Sequence, residues 1–237
     1  MSSRKHSYDQ LPDLGRTGRS PYVQPNLAGI VSKISWQARR KMFVVLMEMI
    51  QPTATTTVID VGVTSDQRED SNFFEKLYPY PEKVIATGLE DASFLEKDLP
   101  GLTYIQTDGL SLPFADQSFD LAVSFAVIEH VGDREKQKAF LHELCRVGRV
   151  CCITTPNRWY PIEFHTMMPL LHWLPLPWFR RILKLIGKSF WAEENHLNPL
   201  SEKEILQILP ANVRFRTRHH KLLGLVSNLL FIVENDV

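Results

Sequence analysis

The sequence predicts an α/β fold: a Rossmann-like, doubly wound, mostly parallel sheet with an antiparallel edge and a helical, apolar insertion after the fifth strand. Three observations predict it. Short β-branched or apolar runs alternate with stretches of helical periodicity through the first two thirds of the 237 residues. Several of these runs end on Gly or an acidic residue, where a buried parallel strand would open into a loop. The last two runs adjoin without an intervening helix, as antiparallel edge strands do.

Taken in order, residues 1–26 mix Arg, Ser, Gly, Pro and Asn without periodicity and read as a loose arm. From Leu27 to Ile50, apolar Ile30, Ile34, Ala38, Met42, Val45 and Met49 recur every three or four residues before Pro52, which predicts an amphipathic helix. TTTVIDVG supplies the first strand, and a short helix over Ser71–Leu77 stops before Pro79 and Pro81. KVIATGLE and LTYIQTD supply the second and third strands. SFDLAVSFAVIEHV is a strand running into a loop, REKQKAFLHELCRV a helix, and RVCCITTP a further strand ended by Pro156. Residues 157–200 break the rhythm and hold four of the five tryptophans, so they read as an insertion on the substrate side of a single domain covering 27–237. After it, Ser201 and Glu204 form a capping box that starts a helix. Two strands joined tightly at Gly224 close the chain.

Composition excludes some function classes. Lys plus Arg and Asp plus Glu are equal at 27, so no global field draws the chain to nucleic acid. Cys145, Cys151 and Cys152 lack Cys-x-x-Cys spacing and read as buried thiols; no metal is assigned. The first ten residues lack an apolar leader core and no stretch is long enough to span a bilayer, which predicts a cytoplasmic protein.

A dinucleotide site would need Gly-x-Gly-x-x-Gly after the first strand. The segment here, Asp60-Val61-Gly62-Val63-Thr64-Ser65-Asp66, has one glycine and two carboxylates. Those charges would repel a pyrophosphate and attract the ammonium or sulfonium of a methionine-derived ligand. At the end of the second strand, Glu90, with Asp91 as the second choice, can accept both hydroxyls of a ribose. After the third strand, Asp108 and Gly109 stand before Leu112 and Phe114, a carboxylate for an adenine amino group and two apolar walls. Each acid alone is weak, since turns favour Asp. Their placement after three successive strands is what points to a site.

VIDVG, the acid of ATGLED, TDGLSLPFADQSFDLAVSFAVIEHV and RVCCITTPN together resemble the ordered motifs of class I S-adenosylmethionine-dependent methyltransferases, in particular the small-molecule branch that includes quinone-biosynthesis enzymes. The resemblance covers about residues 57–157 and is only topological outside them. It implies S-adenosylmethionine as cofactor, with Asp60 and Gly62 at its methionine end, Glu90 at the ribose, and Asp108 and Gly109 at the adenine. It also implies that Ser124, Phe125 and Ala126 form the floor near the methyl group. The family commonly has Gly-x-Gly in the first loop; here Thr64 stands in place of the second glycine and Asp66 in place of a small residue. That departure favours a non-catalytic binding module as one alternative. A nicotinamide-dependent oxidoreductase or epimerase is the other.

For the chemistry, His130 beside Glu129, or His165 near Glu163, is a candidate base, because histidine titrates near neutrality. In the insertion, Phe179, Ile182, Leu183 and Ile186 fall on one helical side and Arg180, Arg181, Lys184 and Lys188 toward the other. This is the pattern of a lid packed on its own domain, or of a basic interfacial helix giving peripheral membrane contact through 178–191. Either form favours a small or amphipathic acceptor: a lipid, a quinone-like ring or a lipid-linked sugar.

Overall fold

The structure is a computed structural model that describes residues 28–68 and 71–235; the arm assigned to 1–26 lies outside the described residues. Helix α1 (Ala28–Ile50) leads into β1 (Val58–Val61), followed by α2 (Phe73–Leu77), β2 (Val84–Gly88), α3 (Phe94–Asp98), β3 (Thr103–Gln106) and β4 (Phe119–Phe125). Then come α4 (Arg134–Val147), β5 (Gly148–Pro156), the insertion helices α5 (Leu176–Leu185) and α6 (Ser189–Ala192), α7 (Glu202–Ile208), β6 (Val213–Leu222) and β7 (Leu225–Asn235).

The seven strands lie in the order β3-β2-β1-β4-β5-β7-β6. Strands β1 to β5 are parallel, and β7 pairs antiparallel with both β5 and β6. The predicted antiparallel edge is therefore present. Its outermost strand, β6, carries Arg214, Arg216 and Arg218 on a largely exposed surface, which discourages a further strand from pairing there.

All four side chains of β1 are buried, and strand alternation sends Ile59 and Val61 to one face and Val58 to the other. Helices α1 and α2 cover the Val58 face through Phe43, Leu46 and Phe74; α4 and α7 cover the opposite face through Phe140, Leu141, Leu144 and Ile205. The burial of α1 differs from the expected stripe. Phe43 and Leu46 are its most enclosed side chains, whereas Val45 and Met49 are only half-buried, because the face against the sheet is wider than one row of residues. Helix α3 has no counterpart in the sequence reading: five residues with one buried apolar side chain, Leu95, carry no detectable period. The three cysteines are buried and free. Among the described residues no helix is long and apolar enough to cross a membrane.

The capping box at α7 is formed as expected: the Ser201 Oγ accepts from the Glu204 N–H, and Glu204 Oε2 accepts from the Ser201 N–H at 2.8 Å. Ser201→Ala is expected to cost about 1 kcal/mol. A lower urea midpoint with an unchanged slope would show it.

Candidate functional site

Strand β1 has β2 on one side and β4 on the other, and the crevice beyond the carboxyl ends of such strands is where open α/β sheets hold their ligands. A cavity of about 740 Å³ occupies that position. In the order of the strands it is bordered by Asp108 after β3, Glu90 after β2, Asp60 on β1, Phe125 on β4 and Thr154 on β5.

At the tip of β1 the chain turns at Gly62, with φ at +113°. The Gly62 and Val63 amides both donate to the Thr87 carbonyl, at 2.7 and 3.0 Å, so the loop stays against β2. A Cβ on Gly62 would stand 2.4 Å from Val127 Cγ2, and one on Gly109 would stand 2.6 Å from Phe140 Cε2. Both glycines are therefore required by close approach of neighbouring elements. Thr64 is not among the positive-φ residues, so its Cβ is accommodated without backbone strain. It exchanges backbone hydrogen bonds with the Asn72 side chain, at 2.9 and 2.8 Å.

Asp60 is buried, and beside it on α2 stands Glu75, also buried, the two carboxyls close enough to share a hydrogen bond when one is protonated. Burial first, and then the neighbouring Glu75 carboxyl, hold Asp60 well above the usual carboxylate range; burial raises Glu75 too. Sequence reasoning passed over Glu75, since Phe-Phe-Glu-Lys reads as an ordinary solvated helix turn. It had instead counted Asp66 as the second charge toward the ligand. The structure corrects this: Asp66 accepts from Arg68 Nε at 2.7 Å, from the Arg68 amide at 3.0 Å and from Ser71 Oγ at 2.9 Å. Burial opposes its charge, but these partners lower its pKa all the same. Its charge is consumed inside the loop.

Glu90 is half-buried and ties β2 to the first loop by accepting from the Ser65 amide at 3.3 Å and from the Ser65 hydroxyl. Asp91 does not border the cavity; it is exposed and accepts from the Ser93 amide at 2.9 Å, a turn residue at the start of α3. Asp108 and Gly109 border it, with the Asp108 carboxylate accepting from the Leu110 amide at 2.9 Å. The apolar walls beside Asp108 are Leu110 and Phe140 rather than Leu112 and Phe114, which pack into the core beneath. Phe125 and Ala126 reach the cavity. Ser124 does not; its hydroxyl donates to the Val61 carbonyl at 2.7 Å inside the sheet.

Beyond β4, a 3₁₀ turn at Ile128–His130 and the insertion residues Phe164, His165 and Met167 close the other end. The His165 Nδ1 lies 2.7 Å from the Glu163 carboxylate, which also accepts from the His165 amide at 3.0 Å and the Thr166 amide at 2.5 Å. Burial disfavours both charges, yet their attraction prevails: Glu163 is lowered to about 2 and His165 is raised. His130 shows the opposite: burial, then the adjacent His165 charge, lower it to about 3. His130 is thereby removed from the near-neutral range that suggested a base, while the Glu163 carboxylate shifts His165 toward its protonated form.

Residues 79–150 match the family described as a methyltransferase domain. Over 69 residues the chain is 41% identical to ajmaline N-methyltransferase of Rauvolfia serpentina and 39% identical to norajmaline N-methyltransferase of the same plant. Each match takes in 29% of this chain and 22% of the relative, so the chain spans about a fifth of the length of the curated relatives it matches. The structure of magnesium protoporphyrin IX methyltransferase from Synechocystis, with bound SAH, is similar over 90% of each chain, with a TM-score of 0.59 and 14% identity. A possible histamine N-methyltransferase from Thermotoga maritima is similar over 88% of this chain and 93% of its own, with a TM-score of 0.55 and 12% identity. The chain has the class I methyltransferase fold.

Within this methyltransferase fold, the insertion builds a small hydrophobic core of its own. Phe179 and Leu183 of α5 are fully enclosed against Trp191, Ala192 and Leu197. The apolar side assigned to a membrane is thus turned inward at its two central positions, because a helix this short buries the stripe that its neighbour can cover. Two of the four cations opposite are engaged as well: Arg180 with Glu194 at 2.8 Å and Lys184 with Glu193 at 3.0 Å. What the insertion exposes instead is Trp159, Trp173, Trp178, Leu185 and Ile186.

Proposed function

We propose that the protein transfers a methyl group from S-adenosylmethionine to a small or amphipathic acceptor held between the sheet and the insertion. The observation that carries this reading is the Asp60–Glu75 pair, two buried carboxyls that meet on the cavity wall. Such a pair suits a cationic ligand and penalises a pyrophosphate. The donor, when bound, supplies a methyl already activated on a sulfonium. Asp60 and Glu75 would face the cationic methionine end, Glu90 the ribose and Asp108 the adenine, against Leu110 and Phe140. Thr64 and Gly62 would shape the loop beside the methionine end, and Phe125 and Ala126 would face the methyl.

His130 and His165 border the acceptor end and hold the acceptor there; their work is alignment and exclusion of water more than proton abstraction. On transfer, the carbon–sulfur bond breaks with its electron pair left on sulfur, a bond forms from the acceptor's lone pair to the methyl carbon, and the acceptor's proton is lost to solvent. Calorimetric titration with S-adenosylmethionine, S-adenosylhomocysteine and NAD tests the reading. Binding of the first two and not the third is expected; binding of NAD alone, or of none, sinks it.

The exposed tryptophans support an apolar acceptor, a lipid or quinone-like ring, delivered from a membrane surface. Flotation with anionic vesicles is expected to carry the protein upward and Trp178→Asp to abolish this. If the unmodified protein stays at the bottom of the gradient, the membrane version is discarded.

A further inference from the structure

We propose that Glu129, His130 and His165 form a binding site for a divalent transition metal of the zinc class, placed at the end of the cavity assigned above to the acceptor. The proposal deepens that assignment and rests on it only for what the metal does, not for whether it binds. One ligand atom from each of the three residues lies within 4.8 Å of the others. Metal–nitrogen and metal–oxygen lengths near 2.1 Å put tetrahedral ligand atoms about 3.4 Å apart, so side-chain adjustments of roughly an ångström close the set.

The second observation is the state of Glu129. Its side chain is 1% exposed. Oε2 accepts from Thr155 Oγ1 at 2.9 Å, while Oε1 is buried without any hydrogen-bond partner among the described residues. A carboxylate oxygen left bare beside two imidazoles is costly in the absence of something to bind.

The surroundings of the two rings fit the same reading. In metal centres, a ligating imidazole commonly gives its other nitrogen to a carbonyl or carboxylate, which fixes the tautomer and the ring orientation. Here the His130 Nδ1 is 2.6 Å from the His196 carbonyl, and the His165 Nδ1 is 2.7 Å from Glu163, itself clamped by two backbone amides. That assigns Nε2 of each ring to the metal. The rings meet edge to face with centroids 4.8 Å apart, and Trp191 packs at 5.2 Å from His165. Two imidazoles and one carboxylate suit zinc, cobalt, nickel, manganese or ferrous iron better than magnesium or calcium. Three protein ligands leave a position open, and His130 and His165, though not Glu129, border the cavity. A metal there would bind a hydroxyl oxygen of the acceptor as a Lewis acid, easing loss of its proton and leaving a further lone pair on that oxygen for the methyl. It would also fasten the insertion to the end of β4.

The full chain, stripped with a chelator and dialysed, is titrated with Co²⁺ while its visible d–d bands are followed, then challenged with Zn²⁺. Expected are one Co²⁺ per chain with bands typical of four or five ligands, displacement by Zn²⁺, and at least a tenfold loss of affinity in Glu129→Gln and in His165→Asn. Glu163→Gln, which removes the charge beside the His165 Nδ1 and disturbs the carboxylate's clamp by the His165 and Thr166 amides, is expected to weaken binding 10–100-fold. Circular dichroism and melting of each variant separate loss of a ligand from loss of the fold. No d–d bands, or bands and affinity unchanged in folded Glu129→Gln, would overturn the proposal. The same samples are titrated with S-adenosylmethionine. Metal binding without cofactor binding supports this site and removes the methyl-transfer reading, whereas cofactor binding without metal binding removes this site alone.

Discussion

Asp60→Asn is expected to weaken S-adenosylmethionine binding by roughly 10–100-fold, the equivalent of the about 1.5–3 kcal/mol that a hydrogen bond to a charged group contributes, while the protein stays folded. Glu75→Gln should weaken binding as well and, unlike most losses of function, raise the melting temperature of the ligand-free protein. The sign follows from the direction of the shifts. Both carboxyls are held above their ordinary range in the folded chain, so the folded state binds their protons more tightly than the unfolded one. Stability from this pair is therefore present below the ordinary carboxyl pKa and lost as pH rises through the raised values. At neutral pH the pair is a liability, which an amide removes; each kcal/mol recovered is worth about 2–4 °C in a chain of this length. The gain should shrink on acidification, where both acids are protonated already.

Ligand binding has the complementary pH dependence. A cation beside Asp60 favours the ionised form, so the complex holds fewer protons than the free protein and affinity rises with pH through the raised Asp60 pKa. The titratable neighbours that bear on this are Glu75 on α2 and the Cys152 thiol on β5, which burial and then the Asp60 charge keep neutral. Calorimetry in buffers of different ionisation heat should register proton release on binding. Uptake of protons, or pH-independent affinity from mildly acid to neutral conditions, would show that Asp60 does not meet a cation.

Gly62→Ala should cost about 1–3 kcal/mol for forcing a side chain into a positive-φ conformation and about 1–3 kcal/mol more for the crowding against Val127. The two contributions can be separated. With the added Cβ placed 2.4 and 2.8 Å from the Val127 methyls, the double variant Gly62→Ala, Val127→Ala removes the crowding and leaves the backbone cost. Urea unfolding is expected to show a large loss for the single variant and partial recovery in the double one relative to Val127→Ala alone. An unchanged midpoint in Gly62→Ala would mean that the loop can re-form without its left-handed residue. By the same reasoning Thr64→Gly is expected to be mildly destabilising, since Thr64 sits in an unstrained conformation and its hydroxyl reaches the Asp66 amide at 3.2 Å.

The succession of strands along the chain, the antiparallel edge, the α7 capping box and the acids ending β1, β2 and β3 were legible in the sequence, because each is written in local terms: period 2 or 3.6, a breaker, a cap. Asp60, Gly62, Glu90, Asp108 and Gly109 could be placed at the crevice from strand ends alone. What only the tertiary structure decided are meetings between side chains distant along the chain and the direction in which a side chain leaves the sheet. Glu75 becomes the partner of Asp60 because α2 packs across β1, while Asp66 is neutralised two residues away by Arg68. Ser124 faces the sheet interior rather than the cavity, and Leu112 and Phe114 yield their expected place to Leu110 and Phe140. The inward turn of α5 depends on the insertion's own small core, and the approach of His165 to Glu129 and His130 on where the insertion meets the turn after β4. Local propensity sets which elements form; burial of their apolar faces sets which residues meet, and the chemistry of this site is made of those meetings.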